Sequence, residues 1–368
     1  MSDKELSKET ELRARRLIWY LGYFARGNIH IYSEEGQEIT EIDVLGVRFD
    51  EILHPNYMII ETKSGYEKGF TSILKLKGFQ EYFPPSTVSI MRYDITPDII
   101  KFAGSMGIRG YHLSRIDEME EDLGIERKLW FGSFRAESIL EINSHISLLR
   151  KARGGYLDPY FNFWNTRDAF YKIKVLVNTI ELLSNKLEEI DEGSIKKAVQ
   201  WLILEYITLF SVSVLEAASD LYSLPSHQRK RIFLTKLISG KLAEKEKEEL
   251  ISNTYKFFDE YSRVVMRRRP NLKRSDLMLV PPYADDLYNM ISNIIKNSKA
   301  SRFMPRYLDL YTNEYFLRNK KIAWEELHKY ALVPDEYCLL SLKASRDVIK
   351  FLFPKNIPYF ISSEYFSE

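Results

Sequence analysis

The sequence predicts two architectures in one chain: a small α/β sandwich around a mixed sheet, then a large all-α domain. Three observations carry this. Strand-like alternation is confined to about the first 115 residues, and beyond about residue 134 the spacing of apolar residues is helical nearly throughout. The two longest strand candidates also carry charged residues inside apolar runs. The 368 residues suffice for two cores.

The elements follow in order. Ser2 with Glu5 has the spacing of a capping box, and Ala14, Leu17, Ile18 and Leu21 mark one helical face. Gly22 stands where a helix is closed by a left-handed glycine. "NIHIYS" (28–33) reads as a short strand, and "EITEIDVLGVRF" (38–49) and "NYMIIETK" (56–63) read as longer ones joined by the turn "DEILHPN". "GFTSILKLKGFQEYF" (69–83) is a helix closed by Pro84 and Pro85, and "TVSIMRY" (87–93) is a strand. "PDIIKFAGSMG" (97–107) is a helix with proline in its first turn, followed by the strand "IRGYHLS" (108–114). The order is α-β-β-β-α-β-α-β over residues 1–116. "DEMEED" carries five acids in six residues and opens an expected solvated linker, 117–133, with an exposed loop or a helix start as its plainer reading. Residues 134–368 form the helical domain, with helices expected at 134–152, 162–190, 193–222, 226–239, 242–265, 283–298, 302–319, 322–331 and 343–352.

Composition narrows the chemistry. Charged residues are 29% and hydrophobic residues 45%, a globular balance, and the formal net charge of +1 means that any nucleic-acid contact needs clustered basic residues. The single cysteine, Cys338, excludes an internal disulfide and a multi-cysteine zinc site, and the six histidines lack metal-ligand spacing. No run approaches the roughly 18 apolar residues of a membrane span, and the N-terminus is charged, so a cytoplasmic protein with no membrane partner is expected. No phosphate-binding GxxxxGK[ST] motif occurs, so no nucleotide cofactor is expected.

Strand parity brings the charged residues together. Ile39, Glu41, Asp43 and Leu45 share a face of one strand; Tyr57, Ile59, Glu61 and Lys63 share a face of the next. In a hairpin, Asp43 and Glu61 become neighbours, with Lys63 about 7 Å along from Glu61. Phosphodiester hydrolysis uses such a set. One or two carboxylates suffice for magnesium, which acidifies a bound water, and a lysine orients that water or holds developing negative charge.

A helix carrying a glutamate and ending in "LGY", then "EID", then an apolar strand ending "ETK", resembles the PD-(D/E)XK nuclease superfamily, whose members include restriction endonucleases and archaeal Holliday-junction resolvases. The resemblance covers roughly residues 5–115 and implies a restriction-endonuclease-like fold. It implies that Asp43 and Glu61 ligate Mg²⁺ (with Mn²⁺ as substitute), that the Thr62 backbone carbonyl is a further ligand, and that Lys63 is catalytic. It makes Glu11, on the first helix, a further candidate ligand and Gln80 a supporting residue. No proline precedes Asp43, unlike many members, and the helical extension far exceeds a minimal resolvase.

The implied function is a metal-dependent DNA endonuclease in defence or repair. Its alternatives are a nuclease fold kept as a non-catalytic DNA-binding or assembly module, and an RNA-directed nuclease. Each residue also has a plainer reading: Asp43, Glu61 and Lys63 as an ion cluster on a hairpin, and Glu11 as a helix acid paired with Arg15 at i+4. Glu41 is either a supporting group or a solvated strand end. For phosphate contacts the candidates are Arg13, Arg16, Lys68 and Lys75 near the proposed centre, and Arg267, Arg268, Arg269, Lys273 and Arg274 in "RVVMRRRPNLKR" (263–274), a stretch that reads equally as a solvated face. Lys77, two residues from Lys75, lies on a different helix face. The aromatic "GGYLDPYFNFWN" (154–165) reads as a core patch, with base stacking the rival. A homodimer and separate partner subunits are both compatible with the helical domain.

Overall fold

A computed structural model describes residues 3–33, 35, 37–63, 69–125, 135–151, 155–191, 193–239, 244–264, 280–311, 316–317 and 330–361. The first part runs α1 (Asp3–Tyr20), β1 (Phe24–Tyr32), β2 (Glu38–Phe49), β3 (Pro55–Lys63), α2 (Gly69–Tyr82), β4 (Ser86–Arg92), α3 (Pro97–Ser105), β5 (Arg109–His112) and α4 (Arg115–Asp122). The expected α-β-β-β-α-β-α-β order is therefore present, with one further helix at its end.

The five strands form one mixed sheet in the order β1-β2-β3-β4-β5. The β1–β2 and β2–β3 junctions are antiparallel and the β3–β4 and β4–β5 junctions parallel. The turn between β2 and β3 is fixed by Asp50, whose Oδ1 accepts from the backbone N–H groups of Ile52 and His54 at 3.0 and 2.8 Å. The parallel β3–β4 and β4–β5 pairs need crossovers, which α2 and α3 supply. α3 is capped by Thr96, whose hydroxyl accepts from Ile99 N–H.

Helices cover both faces. Gly46 is where α1 meets the sheet: a Cβ there would lie 2.5 Å from Ile18 Cγ2, so the glycine permits close packing. By parity, Asp43 and Leu45 face the other way. On that second face Lys75 of α2 reaches Glu61, and Gly110 of β5 abuts Ile95 and Ile100. Gly22 closes α1 at φ +91°, as the sequence predicts.

The second part is helical: α5 (Ala136–Lys151), α6 (Asp158–Asn162), α7 (Ala169–Glu189), α8 (Ser194–Tyr222), α9 (Ser226–Ser239), α10 (Glu244–Val264), α11 (Ala284–Lys296), α12 (Ser298–Ser301), α13 (Met304–Leu310) and α14 (Cys338–Leu352). The helix expected over 162–190 begins only at Ala169, Asn162 being the last residue of the separate α6. Asp168 caps α7 by accepting from Tyr171 N–H at 2.9 Å. The aromatic stretch is a core patch where described, with Leu157, Phe163 and Trp164 buried. Ser2 and nearly all of the helix expected at 322–331 lie outside the described residues.

Two expectations are refined. Residues 117–122, expected as a solvated linker or as the start of a helix, take the helix reading, with Asp117, Glu118, Glu121 and Asp122 exposed. They belong to α4, whose Ile116 is fully buried and whose Glu120 is only 2% exposed. Arg13 of α1 explains the buried acid, donating to Glu120 Oε1 and Oε2 at 3.0 and 2.8 Å and to Asp117 Oδ1 at 2.5 Å. The chain also contains a run long and apolar enough for a membrane span, α8, with a mean hydropathy of 1.7 in its best window. All of that window is buried inside the fold, and a helix apolar on every side is also what a core helix requires.

The two parts share one contiguous apolar core, from Ala14 of α1 through α8 to Ile361. Polar contacts cross the seam as well: Trp19 Nε1 donates to the Tyr330 carbonyl at 3.1 Å, and Arg306 donates to the Trp19 carbonyl at 3.0 Å.

Candidate functional site

The site stands at the end of the β2–β3 hairpin. Val44 pairs with Ile60, so continuing the antiparallel register places Asp43 opposite Glu61. Glu61 lies one pleat before Lys63, and its side chain is only 1% exposed. A carboxylate that deep requires partners. It has two: Lys63 Nζ lies 3.0 Å from Glu61 Oε1, and Lys75 Nζ donates to Oε1 and Oε2 at 3.0 and 3.2 Å. Lys63 arrives by strand parity, Lys75 from α2 packed above.

Asp43 is half-buried and held differently. Its Oδ2 accepts from the Thr62 backbone N–H at 2.7 Å and from the Thr62 hydroxyl at 3.3 Å. Both bonds fall on one oxygen. Burial, and then the neighbouring Glu61 charge, push the Asp43 carboxyl up to about 6, against the opposing pull of Lys63, the Thr62 N–H and Lys75. Two carboxylates are thus held close enough to feel each other.

Such a donor set suits a hard divalent cation: charged oxygens on two adjacent strands, one of them already costly to ionise without a cation. Asp43 and Glu61 are the residues that could hold it. The expected third acid does not join them. Among the described residues no group of three or more His, Cys, Asp or Glu is placed to hold a metal. Glu11 is half-buried on α1, whose Ile18 packs against the face opposite to Asp43.

The other sequence-predicted residues separate clearly. Glu41 lies two residues from Asp43 and pairs in register with His30 of the edge strand β1. Gln80 is engaged at the far end of α2, accepting from Lys77 Nζ at 2.9 Å and lying near Gly107. Arg13 pairs with Asp117 and Glu120 of α4. Arg16 is half-buried on α1. Lys75 lies nearer the centre than its neighbours in sequence suggest: its ammonium sits on Glu61. Lys68, Arg267, Arg268, Arg269, Lys273 and Arg274 lie outside the described residues.

Two residues near the centre take positions that the sequence does not announce. Lys75 carries a faint signal, following buried Ser72 by three positions and preceding buried Phe79 by four, so it borders the inward stripe of α2. Arg92 carries none. It pairs in register with Lys63, is only 1% exposed, and donates from Nε to Asp94 Oδ1 at 3.0 Å. No family model, no curated protein and no solved structure matches this chain.

Proposed function

We propose that the chain is a metal-dependent deoxyribonuclease whose first part is a restriction-endonuclease-like domain of the PD-(D/E)XK type. One juxtaposition carries the reading: Asp43 and Glu61 on adjacent antiparallel strands, with Lys63 Nζ 3.0 Å from Glu61, at the end of a hairpin framed by α-β-β-β-α-β. Asp43 and Glu61, with the Thr62 carbonyl, would hold Mg²⁺ or Mn²⁺. When bound, the ion supplies an acidified water and neutralises phosphate charge. Thr62 fixes Asp43 through Oδ2. Lys63, with 22% of its side chain exposed, is placed to orient the attacking water and to hold charge that develops on the phosphate.

The test is cleavage of supercoiled plasmid. Wild type nicks or cuts it with Mg²⁺ or Mn²⁺ and not with chelator, while Asp43→Ala and Lys63→Ala lose at least about a hundredfold in rate. Cleavage in chelator, or variants as active as wild type, would overturn the mechanism. Strength of DNA binding is a separate matter. We expect neutralisation of Arg267, Arg268 and Arg269 to weaken it and to reduce the salt slope by about 0.9 for each phosphate that is no longer neutralised. An unchanged slope returns that stretch to a solvated face.

A specific observation favours a second reading, a non-catalytic nuclease fold used for binding or assembly: Glu61 is already neutralised by two ammonium groups. That reading expects no cleavage of DNA or RNA under any divalent cation, and unaltered DNA or partner binding in Asp43→Ala.

A further inference from the structure

Lys63 and Lys75 hold the same carboxylate in different ways. Lys63 comes from the same strand face, two residues on, and its ion pair is to Oε1. Lys75 comes from a separate element, α2, and spans both carboxylate oxygens, at 3.0 and 3.2 Å. Both oxygens of a proposed ligand are therefore covered by one ammonium. Lys75 also has somewhere to go. Its Nζ lies 5.4 Å from the centroid of the Phe79 ring, one helical turn along α2, and an aromatic face is a resting place for a cation. Its side chain is 28% exposed, so water can take the ammonium as well.

We infer that Lys75 is an exchangeable counter-ion: it occupies the Glu61 carboxylate in the metal-free protein and is displaced towards Phe79 when a divalent cation loads. This rests on the reading of Asp43 and Glu61 as a metal site. A carboxylate this deeply buried is held by positive charge at every stage, and Lys75 supplies the second cation, beside Lys63, until the ion arrives. The exchange sets the metal affinity, because the incoming ion must replace two charge-assisted hydrogen bonds and repel an ammonium. Lys75 is thus a positioning residue that regulates loading, and the phosphate contact expected of it from sequence is not its resting state.

The experiment is Mn²⁺ titration of the chelator-treated full chain by calorimetry, comparing wild type, Lys75→Gln, Lys75→Arg and Glu61→Gln. Removing the competing charge is expected to tighten Mn²⁺ binding at least about tenfold in Lys75→Gln, with little change in Lys75→Arg and loss of binding in Glu61→Gln. Thermal melting is expected to show metal-free Lys75→Gln below wild type, with Mn²⁺ recovering the difference. Equal Mn²⁺ affinity in wild type and Lys75→Gln, with binding lost in Glu61→Gln, would overturn the exchange and leave the metal site standing. No Mn²⁺ binding by either wild type or Lys75→Gln would overturn both. Should Lys75→Gln fail to fold, amine acylation of wild type read by mass spectrometry decides: Lys75 becomes more reactive on adding Mn²⁺ if it is released. Unchanged or reduced reactivity refutes the exchange.

Discussion

Two clusters of buried charge sit on the same face of the sheet, and they are built to opposite ends. At the seam with the helical region, Arg26 of β1 donates to Glu205 of α8 at 2.9 and 2.8 Å and lies 2.7 Å from Asp309 of α13. All three side chains are at most 8% exposed. Arg15 stands nearby, pushed down to about 10 by burial and by Arg26, and anchored on the Ala25 carbonyl. At the hairpin end, Asp43 and Glu61 face two lysines that keep a quarter or so of their side chains in water. The seam cluster holds its charges in a rigid, forked arrangement and leaves little room for exchange. The hairpin cluster crowds two acids and supplies flexible, partly exposed cations. The first geometry fastens two regions together; the second is the one for which we propose exchange of one cation for another.

The largest effect expected from this contrast is at the seam. Arg26→Ala leaves two buried carboxylates without their common partner and is expected to cost about 3–5 kcal/mol of stability, read by chemical denaturation. A loss below about 1 kcal/mol would mean that the seam is not fastened by charge. Arg26→Lys is expected to fall between the two, since an ammonium cannot reproduce the fork.

At the hairpin the sign reverses. The folded protein holds a proton on Asp43 up to about 6, above its ordinary value of 3.8, so the folded state binds the proton more tightly than the unfolded chain. Stability from this group is present at acidic pH and lost as pH rises from about 4 to about 6. Asp43→Asn therefore stabilises the metal-free protein above that window, on the order of 1–3 kcal/mol, and is neutral below it. Melting at about pH 3.5, below the window, and at about pH 7.5, above it, checks this. A variant destabilised at both values would mean that Asp43 is a structural anchor with no functional strain.

A smaller effect is expected on the opposite face. Arg13→Ala removes the arginine paired with the buried Glu120 and is expected to cost about 0.5–1.5 kcal/mol, with no change in metal affinity. A drop in metal affinity would tie α1 and α4 to the site.

These clusters are legible in the sequence to different degrees. Asp43, Glu61 and Lys63 follow from strand parity, because a period of two fixes which residues share a face once the strand is recognised. The α-β-β-β-α-β-α-β order is legible for a related reason: the elements are periodic, and several are bounded by glycine or proline, as at Gly22, Pro84, Pro85 and Pro97. The seam is not legible. Arg26, Glu205 and Asp309 are separated by long stretches of chain, and nothing local says that α8 and α13 will meet β1. Lys75 is visible only as a lysine on a helix. Its partner lies 14 positions away, and only the angle at which α2 crosses the strands brings it to Glu61. Arg13 and Glu120 show the same limit, since five acids in six residues read as solvated until a distant arginine is placed among them.

The central claim is that Asp43 and Glu61 close on one divalent cation. Diffraction from crystals of the full chain soaked in Mn²⁺, collected for anomalous scattering, tests it directly. The predicted result is a single peak between the Asp43 and Glu61 carboxylates, with Lys75 withdrawn towards Phe79. A hairpin end with no peak, and with Lys63 and Lys75 both still on Glu61, would contradict it.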